Sequence, residues 1–436
     1  MLPRPLDRPD GPGRRPGWRR LLVGAVLPAA LLAGACTSVL DRSALPSGEA
    51  RTGGSAAVTT SAPITPVTPD GLIAGPGVSE TEIALGVLAD PGTDRGFADG
   101  VHLWQRSVNT AVGVCGRPIS TAVQGDGDVS ADPATAYRQI GASTLGLLAP
   151  TPPADGTLSA SIAADQLPLV TATATSTQLN PAGPLVAGAT ADILVINGLE
   201  HLRTAGVIGR GATVGVLDDG SGTAANALAG ASWWAQENDV TLDVRRTGDG
   251  AVADPSAWTG VAAVLVPADP AAVGALLTGS ALPVLTLLDG FEPGAWPAPT
   301  TAAADGRLYV ATPAPAYGSD YPAAVTVASV AAALGTDNAG PRTLDGYAAG
   351  VTWGRLITQA CADRTLTRAG IRQAASTIGA APAGSLFGAG DLAEVVESGL
   401  PATRDSSVSV AQAAAPTGLR SLTWLESAPG IEDYAP

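Results

Sequence analysis

The sequence predicts an α/β fold of two doubly wound lobes, each a parallel sheet covered by helices, joined by a multi-strand hinge. Three observations carry that expectation. Short, nearly continuous apolar runs alternate with helical segments, as expected for parallel strands buried on both faces. The alternation pauses at Pro181-Ala182-Gly183-Pro184 and then restarts. The body from about Gly77 onward is roughly 360 residues long, a length that typical domain sizes divide in two.

In the first run, residues 83–88 form a strand, followed by a helix whose Phe97, Val101, Trp104 and Val108 share one face. Strands follow at 119–123, 145–148 and 167–170, with helices at 134–140 and 159–164 between them. The second run opens with a helix over 193–205. It continues through strand 212–217, helix 224–236 and strands 241–245 and 261–266, then helix 271–277 and strand 282–287. A further strand at 308–311 precedes helices at 322–334, 344–361 and 368–376. If the late helical block returns to the first lobe, the chain crosses between lobes more than once. The expected division is 77–187 plus 313–385 for the first lobe and 188–312 plus 386–436 for the second.

The region before the body has a different character. Arg4, Arg8, Arg14, Arg15, Arg19 and Arg20 precede an apolar run from Leu21 to Leu32, and then Ala33-Gly34-Ala35-Cys36. A charged leader, a short apolar segment and small residues before a cleavage point make a secretory signal over 1–35. The run is too short, and too interrupted by Pro28, for a membrane span. Cys36, directly after the small residues, resembles the lipidated cysteine of bacterial lipoproteins, although Ala33 stands where leucine is commonest. The alternative is an ordinary secreted protein in which Cys36 is incidental. Residues 36–76 are rich in Ser, Thr, Gly, Pro and Ala, a composition that cannot offset the entropy of ordering it. They are expected to be a flexible tether to the membrane.

Composition narrows the partners. The chain carries a net charge of -15, and removal of a leader with six Arg and two Asp leaves about -19. Scattered arginines on an acidic body do not suit nucleic acid, which needs clustered positive charge. The expected protein is a monomer without cofactor or metal. Besides Cys36 there are only Cys115 and Cys361, and an even pair in an oxidising compartment is most simply a disulfide; two buried free thiols are the alternative. His102 and His201 complete no metal-ligand spacing and no nucleophilic triad. Residues 126–132 imitate the start of a calcium loop but lack its glycine and its closing glutamate, where Tyr137 stands.

Four predicted strands end at an aspartate: Asp90, Asp218, Asp269 and Asp289. Ligands of open parallel sheets bind beyond the carboxyl ends of strands, yet an aspartate there also suits the cap of the next helix. The run Thr171-Ala172-Thr173-Ala174-Thr175-Ser176 after a strand offers hydroxyls and backbone N–H groups to an anion, or caps its own turn.

Several segments taken together resemble the leucine/isoleucine/valine-binding family of type I periplasmic binding proteins. They are Gly77-Val78-Ser79-Glu80-Thr81-Glu82-Ile83, Val114-Cys115-Gly116-Arg117-Pro118-Ile119, Gln166-Leu167-Pro168-Leu169-Val170, Ala212 to Asp219, and Gly346-Tyr347-Ala348-Ala349-Gly350-Val351 leading to Cys361. The resemblance implies a solute held between two closing lobes and passed to the permease subunits of an ABC importer, with no enzymatic activity. A branched-chain amino acid or an amide would be the solute. It also implies ligand contacts at Thr173 and Thr175 for a carboxylate and at Asp289 for an ammonium, with Asp90 and Ser221 lining the same site. The sequence departs from the family where Pro152-Pro153 replaces a serine, where the loop Asp90 to Arg95 is short, and where Ser221 replaces an aromatic. An accessory or sensing lipoprotein with a diverged pocket is the alternative.

Overall fold

The computed structural model describes residues 68, 71–247, 255–336 and 338–435. The leader, Cys36 and most of the expected tether lie outside the described residues. The first lobe runs through β1 (Ile73–Ala74), β2 (Ile83–Val87), α1 (Arg95–Thr110), β3 (Ile119–Val123), α2 (Pro133–Ile140), β4 (Gly146–Ala149), α3 (Gly156–Ala164), β5 (Leu169–Thr171) and β6 (Leu185–Val186). Strands β2 to β6 pair in parallel in the order β3-β2-β4-β5-β6. Because β2 lies between β3 and β4, the winding reverses there and opens a crevice at the carboxyl ends.

The second lobe begins with α4 (Ala191–Thr204), β7 (Thr213–Asp218), α5 (Gly222–Glu237), β8 (Thr241–Arg246), β9 (Ala263–Leu265), α6 (Pro270–Gly279), β10 (Val284–Leu287), α7 (Ala298–Ala304) and β11 (Leu308–Thr312). The chain then supplies α8 (Pro322–Ala333), α9 (Thr343–Ala362), β12 (Thr365–Leu366) and α10 (Arg368–Ala375) to the first lobe. It ends with β13 (Ser407–Ala411) and β14 (Leu419–Ser421) in the second, whose strand order is β14-β13-β11-β10-β9-β7-β8. That sheet is parallel from β8 to β11, and β13 and β14 close its far side antiparallel.

The local sequence explains where helices start. Asp132, Asp155, Ser221, Asp269 and Thr367 each accept a backbone N–H from the first turn of the helix they precede, and Pro133 and Pro270 occupy the first helical position. The helix pair α1 and α9 meets backbone to backbone. A Cβ on Gly100 would lie 2.1 Å from the Thr343 carbonyl oxygen, and one on Gly346 would lie 2.0 Å from that of Phe97. Only glycine permits this approach. Trp104 and Trp353 are fully buried in the same core, and the Trp353 indole donates to the Leu147 carbonyl at 3.0 Å.

Separate cores fill the two lobes, and the chain passes between them three times. Ala187 packs in the first core and Ala189 in the second; Ala311 belongs to the second and Ala314 to the first. The last passage comes later than expected. Leu386, Phe387, Leu392, Val395 and Ala402 pack in the first core, so residues 386–402 belong there and not with the second lobe. Order also begins earlier than the expected tether boundary at 76. Ile73–Ala74 pairs in parallel with Thr365–Leu366, and Leu72 and Ala74 are buried. A two-residue strand flanked by glycine and proline has too few side chains to register as a pattern.

Cys115 and Cys361 form a disulfide between the turn before β3 and the end of α9. It closes the late helical block onto the first lobe. At the first inter-lobe passage lies Asp192, with 0% exposure. Its carboxylate accepts hydroxyl hydrogens from Thr190, from Ser176 of the first lobe and from Tyr434 at 2.9 Å. Asn226 on α5 accepts the N–H groups of both Ser176 and Asp192 at 3.3 and 3.2 Å, and returns a bond to the Ser176 hydroxyl at 2.9 Å. Removing the carboxylate strands three hydroxyls, those of Thr190 and Tyr434 buried and that of Ser176 half-buried, so Asp192→Ala is expected to cost on the order of 3 kcal/mol of stability. Denaturant titration checks this; a loss under about 1 kcal/mol would show that the network is dispensable.

Candidate binding cleft between the lobes

The carboxyl ends of strands from both lobes face a cleft of about 710 Å³. From the first lobe come the loops after β2, β4 and β5; from the second come the loops after β7, β9 and β10. Asp90, Thr173, Thr175, Ser221 and Asp289 all line it. The two other strand-end aspartates do not. Asp269 caps α6, and Asp218 at the end of β7 accepts from the Gly220 N–H, 2.8 Å away.

Four of the five lining residues also have a local partner. Asp90 accepts the N–H groups of Gly92 and Thr93 at 2.8 and 3.1 Å. The Thr173 hydroxyl donates to the Ala189 carbonyl at 2.6 Å, which fastens the turn to the hinge. Thr175 and Gln178 bond reciprocally around a short 3₁₀ turn, and the Thr175 and Thr177 hydroxyls are 2.9 Å apart. Ser221 caps α5 through the Ala224 N–H at 3.0 Å. Capping and cleft lining therefore coexist in the same residues, because strand-to-helix turns put capping side chains at the crevice.

The loop with Pro152 and Pro153 also lines the cleft, together with Thr151, a hydroxyl that sequence inspection passed over. Its geometry is set by Pro150, whose carbonyl accepts the N–H groups of Ala172 and Thr173 at 3.2 Å each. Gln124, Gln178, Thr177 and Thr223 add polar atoms, while Leu88, Leu158, Leu194 and Leu287 supply apolar wall.

Arg342 is the residue the sequence did not announce. It immediately precedes α9, is 7% exposed and is the cation among the lining residues, beside Asp90, Asp94, Asp155, Asp219 and Asp289. Its Nε lies 3.1 Å from Asp94, which precedes α1, and its terminal nitrogen donates to Asp289 beyond β10. The Asp94 contact follows from the glycine-mediated approach of α1 and α9. The Asp289 contact spans the lobes. Burial raises the Asp94 carboxyl above its ordinary value, with Arg342 acting against that rise. Burial also opposes the charge on Arg342, but Asp289 and Asp94 outweigh it and hold the guanidinium protonated.

Below Arg342, in the first turn of α9, Asp345 is 2% exposed and one of its carboxylate oxygens has no hydrogen-bond partner. Burial pushes its pKa up to about 7, against the pull of Arg342.

No protein-family model matches the chain, and no curated protein matches it. Solved structures do. A fatty acid ABC transporter substrate-binding protein from Thermomonospora curvata superposes with a TM-score of 0.72 at 22% identity, over 84% of this chain and 97% of that one. The chain has the type I periplasmic binding protein fold. The same fold is shared with a branched-chain amino acid ABC transporter protein from Thermus thermophilus with bound valine, at a TM-score of 0.61 and 16% identity over 81% of this chain and 98% of that one. A leucine-binding protein from Thermotoga maritima gives 0.55 and 14% over 79% and 98%. In this type I fold the cleft described above is the space between the two lobes.

Asp345 generates a pH prediction. Its carboxyl is raised in the folded state from 3.8 to about 7, so the native protein holds a proton that the unfolded chain releases. Stability from this group is present at low pH and falls as pH rises from about 4 to about 7, by at most on the order of 1 kcal/mol per pH unit. Asp345→Asn is expected to flatten the melting temperature between pH 5 and 8 relative to the parent. Parallel profiles would remove Asp345 as the titrating group.

Proposed function

We infer that this chain is the solute-binding component of an ABC importer, working outside the cytoplasm and tethered through lipid on Cys36. It would capture a small polar solute between its lobes and present it to permease subunits. One observation carries the reading: five residues expected from sequence to face a ligand converge on one inter-lobe cleft of about 710 Å³. That volume lies within the range of small-molecule sites. The similarity of fold to ABC transporter substrate-binding proteins supports it.

The lining argues for the charge of the solute. Five aspartates face one arginine that is already shared between two of them. A free carboxylate would enter against this field, whereas neutral amides and amine-bearing solutes would not. Thr151, Thr173 and Thr175 offer hydroxyls, and Asp90 and Ser221 offer oxygens from opposite lobes. Asp289 would contribute the carboxylate oxygen that Arg342 does not hold. A monomer is sufficient for this action, since both walls of the cleft come from one chain.

A second reading, a sensing or accessory lipoprotein without a transport partner, is favoured by one feature. Asp289, the residue expected to meet a ligand's ammonium, already meets Arg342. A genomic neighbourhood with permease and ATPase genes favours import, and an isolated gene favours the accessory role.

A thermal-shift screen of amides, amino acids, amines and carboxylates identifies the solute class. For the best binder, Asp90→Ala and Thr175→Ala are each expected to weaken affinity about tenfold, the scale of one lost polar contact. Unchanged affinity in both, by calorimetry, would place the solute elsewhere.

A further inference from the structure

Arg342 and Asp289 belong to different lobes, and nothing else in the cleft lining pairs opposite charges across it. Arg342 is anchored on its own side by Asp94 at 3.1 Å, and its backbone stands where α9 starts against α1. It therefore cannot follow Asp289 when the second lobe swings away. The Gly96 and Gly340 backbones are packed closely enough that a Cβ on either would lie 3.0–3.1 Å from the other's Cα, which fixes the segment carrying the guanidinium. Asp289, by contrast, sits in a short 3₁₀ turn after β10 with its side chain about a third exposed.

We propose that Arg342 and Asp289 form an intramolecular latch that holds the lobes together before any solute arrives, with Arg342 as the positioning residue. Opening the cleft transfers Asp289 to water and leaves Asp94 as the remaining ion-pair partner of Arg342. The cost falls on opening, because the guanidinium, only 7% exposed here, loses its second counter-charge. Charge-assisted hydrogen bonds of this kind are among the stronger polar contacts, and the partial exposure of Asp289 tempers this one. Closure is thus favoured by the chain itself, and a solute gains entry only in the minor open population.

The latch deepens the solute-binding reading, and its test uses no ligand, so the two fail separately. Fluorophores placed through non-native side chains on Asp128 of the first lobe and Glu237 of the second, both exposed, report the inter-lobe distance in the full chain. Asp289→Asn is expected to raise the open-to-closed ratio on the order of fivefold, with melting temperature nearly unchanged, and Asp289→Glu is expected to restore the parent distribution. Raising salt should open the parent and leave Asp289→Asn unmoved, a comparison that needs no Arg342 variant, which risks misfolding. Identical distance distributions for parent and Asp289→Asn, or a parent distribution insensitive to salt, would overturn the proposal.

Discussion

A carboxylate with no solvent exposure organises the junction of the lobes. Asp192 stands at the first inter-lobe passage and gathers hydroxyl hydrogens from its own helix start, from the turn after β5 and from the chain's last described turn. An anion so placed is tolerated only because each approach to it carries a donor. Ser176, the donor from the first lobe, belongs to the same turn as Thr173 and Thr175. The cleft's hydroxyls are therefore positioned by a bond made behind them, and the hinge and the binding surface share one polar core.

The cleft combines two kinds of contact between lobes. At its base, Ser176, Asn226 and Asp192 bond through neutral donors and a fully enclosed acid, so the contact is short-ranged and indifferent to salt. Toward the other side, Arg342 and Asp289 meet as ions with one partner partly open to water. The first kind suits a pivot, because it keeps its geometry while the lobes turn. The second suits a contact that has to break and re-form.

Most of the fold was legible because parallel strands buried on both faces leave unmistakable apolar runs; strand Val284–Leu287 and helices starting at Asp-Pro needed no tertiary information. What escaped were pieces whose order comes from their neighbours. Ser407–Ala411 alternates serine with small apolar residues, and all five are buried because β11 and β14 flank it, not because its own composition is apolar. Ile73–Ala74 is a strand only because Thr365–Leu366 lies beside it. Residues 386–402 carry glycines and isolated apolar side chains without a period, so nothing in them opposed the expected assignment to the second lobe. The site followed the same division. Strand-end aspartates and the threonine turn could be found by position, whereas Arg342 follows a loop and carries no motif. The one available signal was the four-residue spacing of Gly346, Gly350 and Gly354 on α9, which marks a helix face meant for close approach.

That close approach decides the chemistry of the cleft. If α1 and α9 were held at an ordinary helix separation of 8–10 Å, Asp94 and Arg342 would not form their ion pair, and a buried guanidinium would be costlier to keep. Glycines at positions 100 and 346 remove the side chains that would separate the helices, and the charge pair at their amino-terminal ends becomes possible as a consequence of packing. Arg342 can then be fixed in place yet direct its remaining donors outward. A binding surface is usually described by the residues that touch the ligand. Here its electrostatics are set by two glycines that touch only backbone.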